Sequence, residues 1–309
     1  MNLNSYHQIL RMETTVAALD HSVSYLANNL QFLQKNESVL ICFPNMGPDS
    51  LGALFGEAVS RCGAIPVFWG PDYRWRELLR LGFDSRLNTI IGHPLVILGL
   101  MKISKATGTP LYAHNVVLGG YPYDKWMAEG IKKGLDCTIH NCYAVRSGPV
   151  ITGFSCDKEC GIHIREDLFD VITLDDHGEE VPDYRHGRLK FVYKADRGLV
   201  LDPEEMTLLS HQRCCCGRTA PRIIETTYIG HSDPSKSMLE DQFLTWSSVL
   251  DYRAKRTEYG VCLELVYFPG NSLPKLPTCA KLTLRPWNPE EDIPFYIQDN
   301  FMKIPEKEL

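Results

Sequence analysis

Cys156-Asp-Lys-Glu-Cys160-Gly-Ile-His163-Ile-Arg-Glu-Asp167 and His211-Gln-Arg-Cys214-Cys215-Cys216-Gly-Arg-Thr219 are the two segments on which the reading of this chain turns. They bracket an acidic, strand-rich insert. Each half offers soft ligands on a tight turn. A thiolate and an imidazole from one segment, with thiolates at i and i+2 from the other, make up the four nitrogen and sulfur donors that tetrahedral zinc prefers. Cys156, His163, Cys214 and Cys216 are the first choice. Cys160, Cys215 and His211 are rivals, because a run of three cysteines cannot aim all its side chains at one ion. The competing reading is a set of thiols without metal, since the spacing is not that of a standard zinc finger. A disulfide is less expected. Eleven cysteines is an odd number, no signal peptide opens the chain, and a reducing cytoplasmic location fits better than an oxidising compartment.

Outward from these segments, composition sets the bounds. A chain of 309 residues, 44% hydrophobic and 23% charged, can bury a real core and is expected to form two domains. With a net charge of -6 and no basic run, it is not expected to bind nucleic acid. No apolar stretch reaches the roughly 20 residues that span a bilayer. The run from Thr89 to Met101 is interrupted by Gly92, His93, Pro94 and Gly99, so no membrane partner is expected and the protein reads as soluble.

N-terminal to the cysteines, residues 14–35 carry Val16, Leu19, Val23, Leu26, Leu30 and Leu33 at helical spacing. Ser38-Val-Leu-Ile-Cys-Phe43 follows as a short apolar run closed by Pro44, Asn45, Gly47 and Pro48, the mark of a buried parallel strand. The pattern then alternates. Ser50–Cys62 reads as a helix capped at Gly63, Ala64–Phe68 as a strand, Arg74–Leu81 as a helix, Asn88–Ile91 as a strand and Leu95–Thr107 as a helix. Asn115–Leu118 reads as a strand stopping at Gly119-Gly120-Tyr121-Pro122, Asp124–Lys133 as a helix and Thr138–Tyr143 as a strand. Such alternation predicts an α/β fold with a doubly wound layer.

After Pro149 the texture turns β-rich, with Leu168–Leu174 and Arg188–Tyr193 as strands of a small antiparallel sheet or barrel. From Ser237 an α+β piece is expected: a helix over Met238–Arg253, strands over Gly260–Phe268 and Lys281–Leu284, and a loose tail over the last twenty residues.

With these residues laid out, the chain resembles the phenylacetate-CoA ligase branch of the adenylate-forming (acyl-CoA ligase) superfamily over roughly residues 15–235. Gly119-Gly-Tyr-Pro122 stands where that branch has Gly-Ala-Glu-Pro, and Tyr143-Ala-Val-Arg-Ser-Gly-Pro149 is similar to its Tyr-Gly-Leu-Ser-Glu and following Gly-Pro. Gly161-Ile-His-Ile-Arg-Glu-Asp167 resembles Gly-Leu-His-Ile-Trp-Glu-Asp, Cys216-Gly-Arg-Thr219 matches Cys-Gly-Arg-Thr, and Gly230-His-Ser-Asp233 stands for a hinge Gly-Arg-Ser-Asp. The resemblance implies an adenylate-forming-ligase core over residues 1–235, with its zinc-bearing β-rich subdomain at about 150–235, and a shortened α+β domain over 236–309. It also implies a structural zinc, which some members of the branch hold with these same motifs. The lineage is one of acid adenylation and CoA ligation. The nucleotide-like or substrate pocket would then comprise Gly119, Gly120, Tyr121, Tyr143 and Glu205.

The departures from the family bear on activity. Nothing between Met1 and Val39 resembles the family's Thr/Ser/Gly-rich phosphate loop. Arg146-Ser147 replaces a magnesium-holding Glu and offers no carboxylate. Asp202-Pro-Glu-Glu205 stands where the family has Arg-Thr-Arg-Asp, a charge reversal hostile to a triphosphate. None of Lys236, Lys275, Lys281, Lys303 and Lys307 sits in a recognisable Gly-Lys context. ATP and magnesium therefore lack their usual seats, and no catalytic residue is assigned.

Several features have plain structural readings beside functional ones. Tyr143 is a core aromatic or a wall for adenine, Trp69 and Trp75 are sheet-edge packing or an aryl-binding wall, and Glu166-Asp167 is a solvated turn or an acid/base pair. Two functional readings follow. One is a divergent ligase-family protein that binds an organic acid, its activated acyl form or a partner chain, without activating acids with ATP alone. The other is a zinc-stapled, non-catalytic binding or scaffold protein, a pseudoenzyme. A protein partner or a second copy of the chain is open in both.

Overall fold

The computed structural model describes residues 16–70, 72–82, 87–120, 123, 125–144, 151–194, 200–203, 205–228, 243, 245–276 and 279–301. Helices and strands alternate first: α1 (Val16–Asn29), β1 (Ser38–Ile41), α2 (Leu51–Arg61), β2 (Ile65–Phe68), α3 (Trp75–Gly82), β3 (Leu87–Gly92), α4 (Pro94–Thr107), β4 (Asn115–Leu118), α5 (Lys125–Leu135) and β5 (Thr138–Ala144). The five strands are parallel in the order β2-β1-β3-β4-β5. The central strand β1 reads as an unbroken apolar run because both of its faces are covered. Leu40, Ile90 and Val116 share one core with Leu78 of α3, Ile97 of α4 and Ile131 of α5. Val39, Ile41, Ile91 and Val117 point the other way, into a core with Leu26 of α1 and Phe55 of α2. Helices on both faces make the layer doubly wound, as the alternation predicts.

Local chemistry sets the helix ends. The Ser50 side chain accepts the Ala53 N–H at the start of α2. At the start of α4, His93 Nδ1 accepts the Leu95 N–H ahead of Pro94, and Gly108, at φ 69°, closes that helix in the left-handed region. Although the apolar stripe continues to Leu33, α1 ends at Asn29, and Leu30 and Leu33 are buried from the following turns.

Beyond β5 the sheet becomes antiparallel. It continues through β6 (Ile151–Ser155), β7 (Ile162–Ile164), β12 (Arg222–Tyr228), β11 (Glu205–Ser210), β9 (His186–Tyr193) and β10 (Val200–Leu201), with β8 (Phe169–Leu174) also paired to β9. Alternate burial along β8 and β9 puts Phe169, Val171, Leu189 and Phe191 into a third core with Tyr143, Ile162 and Ile223.

The C-terminal piece differs from expectation in two places. Val249–Arg253, assigned above to the end of a helix, belongs to a strand, β13 (Val249–Thr257), paired with β14 (Gly260–Tyr267); β15 (Lys281–Pro286) then runs parallel to β14. Cross-strand partners decide strand formation, and they are not visible in a local window. Residues 238–242 lie outside the described set. The tail is the second difference: α6 (Phe295–Phe301) is anchored by buried Phe295 and Ile297, and the Phe295 N–H donates to the Asp251 carboxylate at 2.7 Å.

This piece packs on α4. Lys102 Nζ donates to the carbonyls of Phe243, Trp246 and Val249 at 2.6, 3.0 and 2.8 Å, and lies 3.4 Å from the centre of the Phe243 ring. Among the described residues, no helix is long and apolar enough to cross a membrane.

Candidate metal centre and ligand crevice

The sheet register brings the two cysteine segments together. His163 on β7 lies opposite Phe154 of β6 and Arg222 of β12, so the end of β6 with Cys156 adjoins the turn that precedes β12. That turn is wound tightly: the Cys214 N–H donates to the Arg218 carbonyl, the Gly217 N–H donates to the Cys214 carbonyl, both at 2.9 Å, and Gly217 takes φ 92°. The Cys216 N–H points at Cys214 Sγ, 3.5 Å away.

Cys156 Sγ, His163 Nε2, Cys214 Sγ and Cys216 Sγ form a group whose ligand atoms all lie within 4.8 Å of one another. On a tetrahedral zinc, with Zn–S near 2.3 Å and Zn–N near 2.0–2.1 Å, two sulfurs stand about 3.8 Å apart, and sulfur and nitrogen about 3.6 Å. Cys156 Sγ to Cys214 Sγ is 3.9 Å, and Cys216 Sγ to His163 Nε2 is 3.4 Å. The donor set thus fits a closed, tetrahedral site. Burial and the positive Arg218 and Arg222 hold the His163 pKa below its usual value, against the pull of the Ala220 backbone carbonyl, which favours the neutral form that a ligand must take.

All three rival ligands are otherwise engaged. His211 Nδ1 is 2.7 Å from Asp183 Oδ1, and its backbone N–H donates to the other oxygen of that carboxylate. Cys160 is joined to Cys215 in a disulfide, 55 positions apart. This corrects the expectation of free thiols there: an odd cysteine count constrains no single pair, and only the tertiary fold places these two turns side by side.

The expected pocket residues fall into two groups. At the end of β4, a Cβ on Gly119 would stand 2.9 Å from the Phe43 ring; on Gly120, whose φ is 79°, it would stand 2.7 Å from Tyr296 Oη and 2.8 Å from His93 Cδ2. The His93 and Tyr296 rings are stacked, with centroids 3.5 Å apart, so they fill the space in front of Gly120. Two residues past β4's partner positions on β5, Tyr143 donates its hydroxyl to Glu205 at 2.8 Å, and Thr226 donates to the same oxygen at 2.9 Å. The structure therefore joins Tyr143 and Glu205 across 62 positions, but the Tyr143 ring is fully buried and lies along Phe191, with centroids 5.8 Å apart. Tyr121, Arg146, Ser147, Glu204, Lys236, Lys303, Lys307 and the segment 230–233 lie outside the described residues.

Two of the three acidic side chains behind the charge reversal are engaged within the fold. Asp202 is paired with Arg188 at 2.7 Å and with Lys190, and Glu205 is buried among hydroxyl donors. Asp202 is thus compensated by cations on the neighbouring strand β9, whose partnership the linear sequence does not reveal. Trp69 and Trp75 are fully buried packing residues, and Gly99 lets the Trp75 ring approach α4 closely.

Sequence reading also passed over Arg165. Its side chain is fully buried, pairs with Asp167 at 3.0 Å, donates to Ser22 at 3.3 Å and lies over the Tyr25 ring, so it ties β7 to α1. Its place between an apolar strand and Glu166-Asp167 was the available signal.

No family model matches the chain. A 113-residue stretch, 35% of the chain, is 29% identical to phenylacetate-coenzyme A ligase of Thermus thermophilus, and covers 25% of that enzyme. Among solved structures, 2-hydroxyisobutyryl-CoA ligase in complex with 2-HIB-AMP and CoA superposes with a TM-score of 0.60 at 15% identity, covering 88% of this chain and 66% of that one. The fold is that of an acyl-CoA ligase. A benzoate CoA ligase from Burkholderia xenovorans agrees, with a TM-score of 0.56 at 11% identity over 91% of this chain and 65% of its own. The fold and the local sequence match are both similar to those of acid-CoA ligases. The segment matched in the curated relative spans a quarter of that enzyme.

Proposed function

We propose that this chain is a divergent protein of the acid-CoA ligase lineage that binds an organic acid or its activated acyl form beyond β4 and β5, and that does not adenylate acids by itself. A structural zinc on Cys156, His163, Cys214 and Cys216 closes the β-rich region. The observation that carries the reading is the Tyr143–Glu205 contact at the carboxyl end of β5 in a sheet of this fold, because open α/β sheets bind ligands in the crevice outside the carboxyl ends of their strands.

Arg146-Ser147 supplies no carboxylate for magnesium, which supports the reading that this chain does not adenylate acids by itself. Zinc would contribute folding free energy and no chemical step.

Calorimetric titration with ATP and with acyl-adenylate analogues, alongside acid-dependent pyrophosphate exchange, tests the proposal. Binding of an acyl derivative with no exchange is expected. Exchange abolished by a point mutation in this chain would overturn the claim that it cannot adenylate.

A second reading is a zinc-stapled binding or scaffold protein that works through its surface. It is favoured by the burial of Tyr143 and by the His93–Tyr296 stack against Gly120. Failure to bind any acyl derivative, with zinc retained, would select it.

A further inference from the structure

Cys214 belongs to two ligand groups. One is the four-donor set described above; the other is Cys160, Cys214 and Cys215, whose sulfurs also lie within 4.8 Å of one another. Cys214 Sγ and Cys215 Sγ are 3.9 Å apart, the same spacing as Cys156 Sγ to Cys214 Sγ, and both match the separation of two thiolates on one tetrahedral zinc. Cys214 is buried between the groups, whereas Cys215 is exposed and Cys160 partly so. Cys214 and Cys216 suffice for the first site, and Cys215 is joined to Cys160 instead.

We infer that Cys160, Cys214 and Cys215 form a second, all-thiolate zinc position that shares Cys214 as a bridging thiolate and exists only while Cys160 and Cys215 are reduced. The inference rests on the first zinc site of the proposed function. Oxidation of the outer pair removes two of the three donors and leaves Cys214 to the inner ion. With a small-molecule disulfide RSSR as oxidant the change balances: the two thiolates on the ion, RSSR and two protons give the Cys160–Cys215 disulfide, one free Zn2+ and two RSH. The S–S bond of RSSR is reduced as the protein's S–S bond forms, and the protons end on the two RSH. Exposure of the outer pair gives the oxidant access, while burial of Cys156, His163 and Cys214 protects the inner site. The metal content of the chain would then report the thiol–disulfide balance around it.

The test is zinc stoichiometry by elemental analysis. The full chain is loaded with ZnCl2 and desalted, once after reduction and once after treatment with glutathione disulfide, and thiols are counted in parallel on denatured samples. About two zinc ions per chain are expected in the reduced form and about one in the oxidised form. Cys160→Ser and Cys215→Ser, each at an exposed or half-exposed position, should bind about one in both conditions. One ion in the reduced wild-type chain sinks this inference and leaves the first site standing. Two ions that persist in Cys160→Ser and Cys215→Ser would also overturn it. No zinc in any form removes the first site and this inference with it.

Discussion

Replacing Cys156 by Ser, compared with stripping zinc from the parent, tests whether the inner ligand group acts as a staple. A metal on Cys156 and Cys214 closes a loop across 58 positions. The chain-entropy relation for a cross-link of that length gives about 14 cal/mol/K, or about 4 kcal/mol at 25 °C. Against a typical total stability of about 5–15 kcal/mol, this is a large share. Because the Cys160–Cys215 disulfide ties the same two turns, it would hide most of the entropic gain, so the comparison belongs in a Cys160→Ser background, which removes both that disulfide and the outer zinc position. In urea unfolding followed by far-UV circular dichroism, chelation should lower parental stability by a few kcal/mol, and Cys156→Ser should lower it by a similar amount. Chelator should then have little further effect on the variant, since both perturbations remove one interaction. Equal, independent losses from chelator and mutation, or a parent whose midpoint ignores chelator, would refute the reasoning.

Three further outcomes follow from the geometry. Tyr143→Phe deletes a donor to buried Glu205, which keeps Thr226, and should cost about 1–3 kcal/mol in chemical denaturation. Gly120→Ala sets a Cβ against Tyr296 and His93 at a positive φ, and should destabilise by about 1–3 kcal/mol; the penalty should shrink in a Tyr296→Ala background, where one of the two neighbours is gone. Burial holds His93 down to about 3, so the unfolded chain takes up its proton first and stability falls as pH drops from about 6.5 toward 3. The loss attributable to His93 between pH 7 and pH 5 is about 2 kcal/mol. His93→Asn, which retains a capping side chain, should remove that share of the slope in unfolding measured across pH. The slope that remains would include His140, which burial lowers to about 4.

Much of the architecture was legible because its signals are local. Ser38-Val-Leu-Ile-Cys-Phe43 reads as a parallel strand from its unbroken apolar character, and α2 and α4 read from their helical pattern, with Gly63 marking the end of α2. From the sequence, Cys156, His163, Cys214 and Cys216 are a first choice with Cys160, Cys215 and His211 as rivals, and the structure brings the side chains of those four together. What failed depended on partners far along the chain. β13 is a strand because β14 lies beside it, and α6 is ordered because Asp251 and the core behind α4 receive Phe295.

Charge was misread for the same reason. Asp202 is acidic in sequence, but Arg188 and Lys190, aligned with it by the pairing of β9 with β10, neutralise it in space. Likewise, sequence named Tyr143 and Glu205 separately, and only the fold put the hydroxyl on the carboxylate and covered the ring with Phe191. Covalent order determined which segments could form helices, strands and ligand turns. Tertiary packing decided which charges are paired, which thiols face each other and which aromatic rings remain open, because those depend on distances between residues that covalent order leaves free.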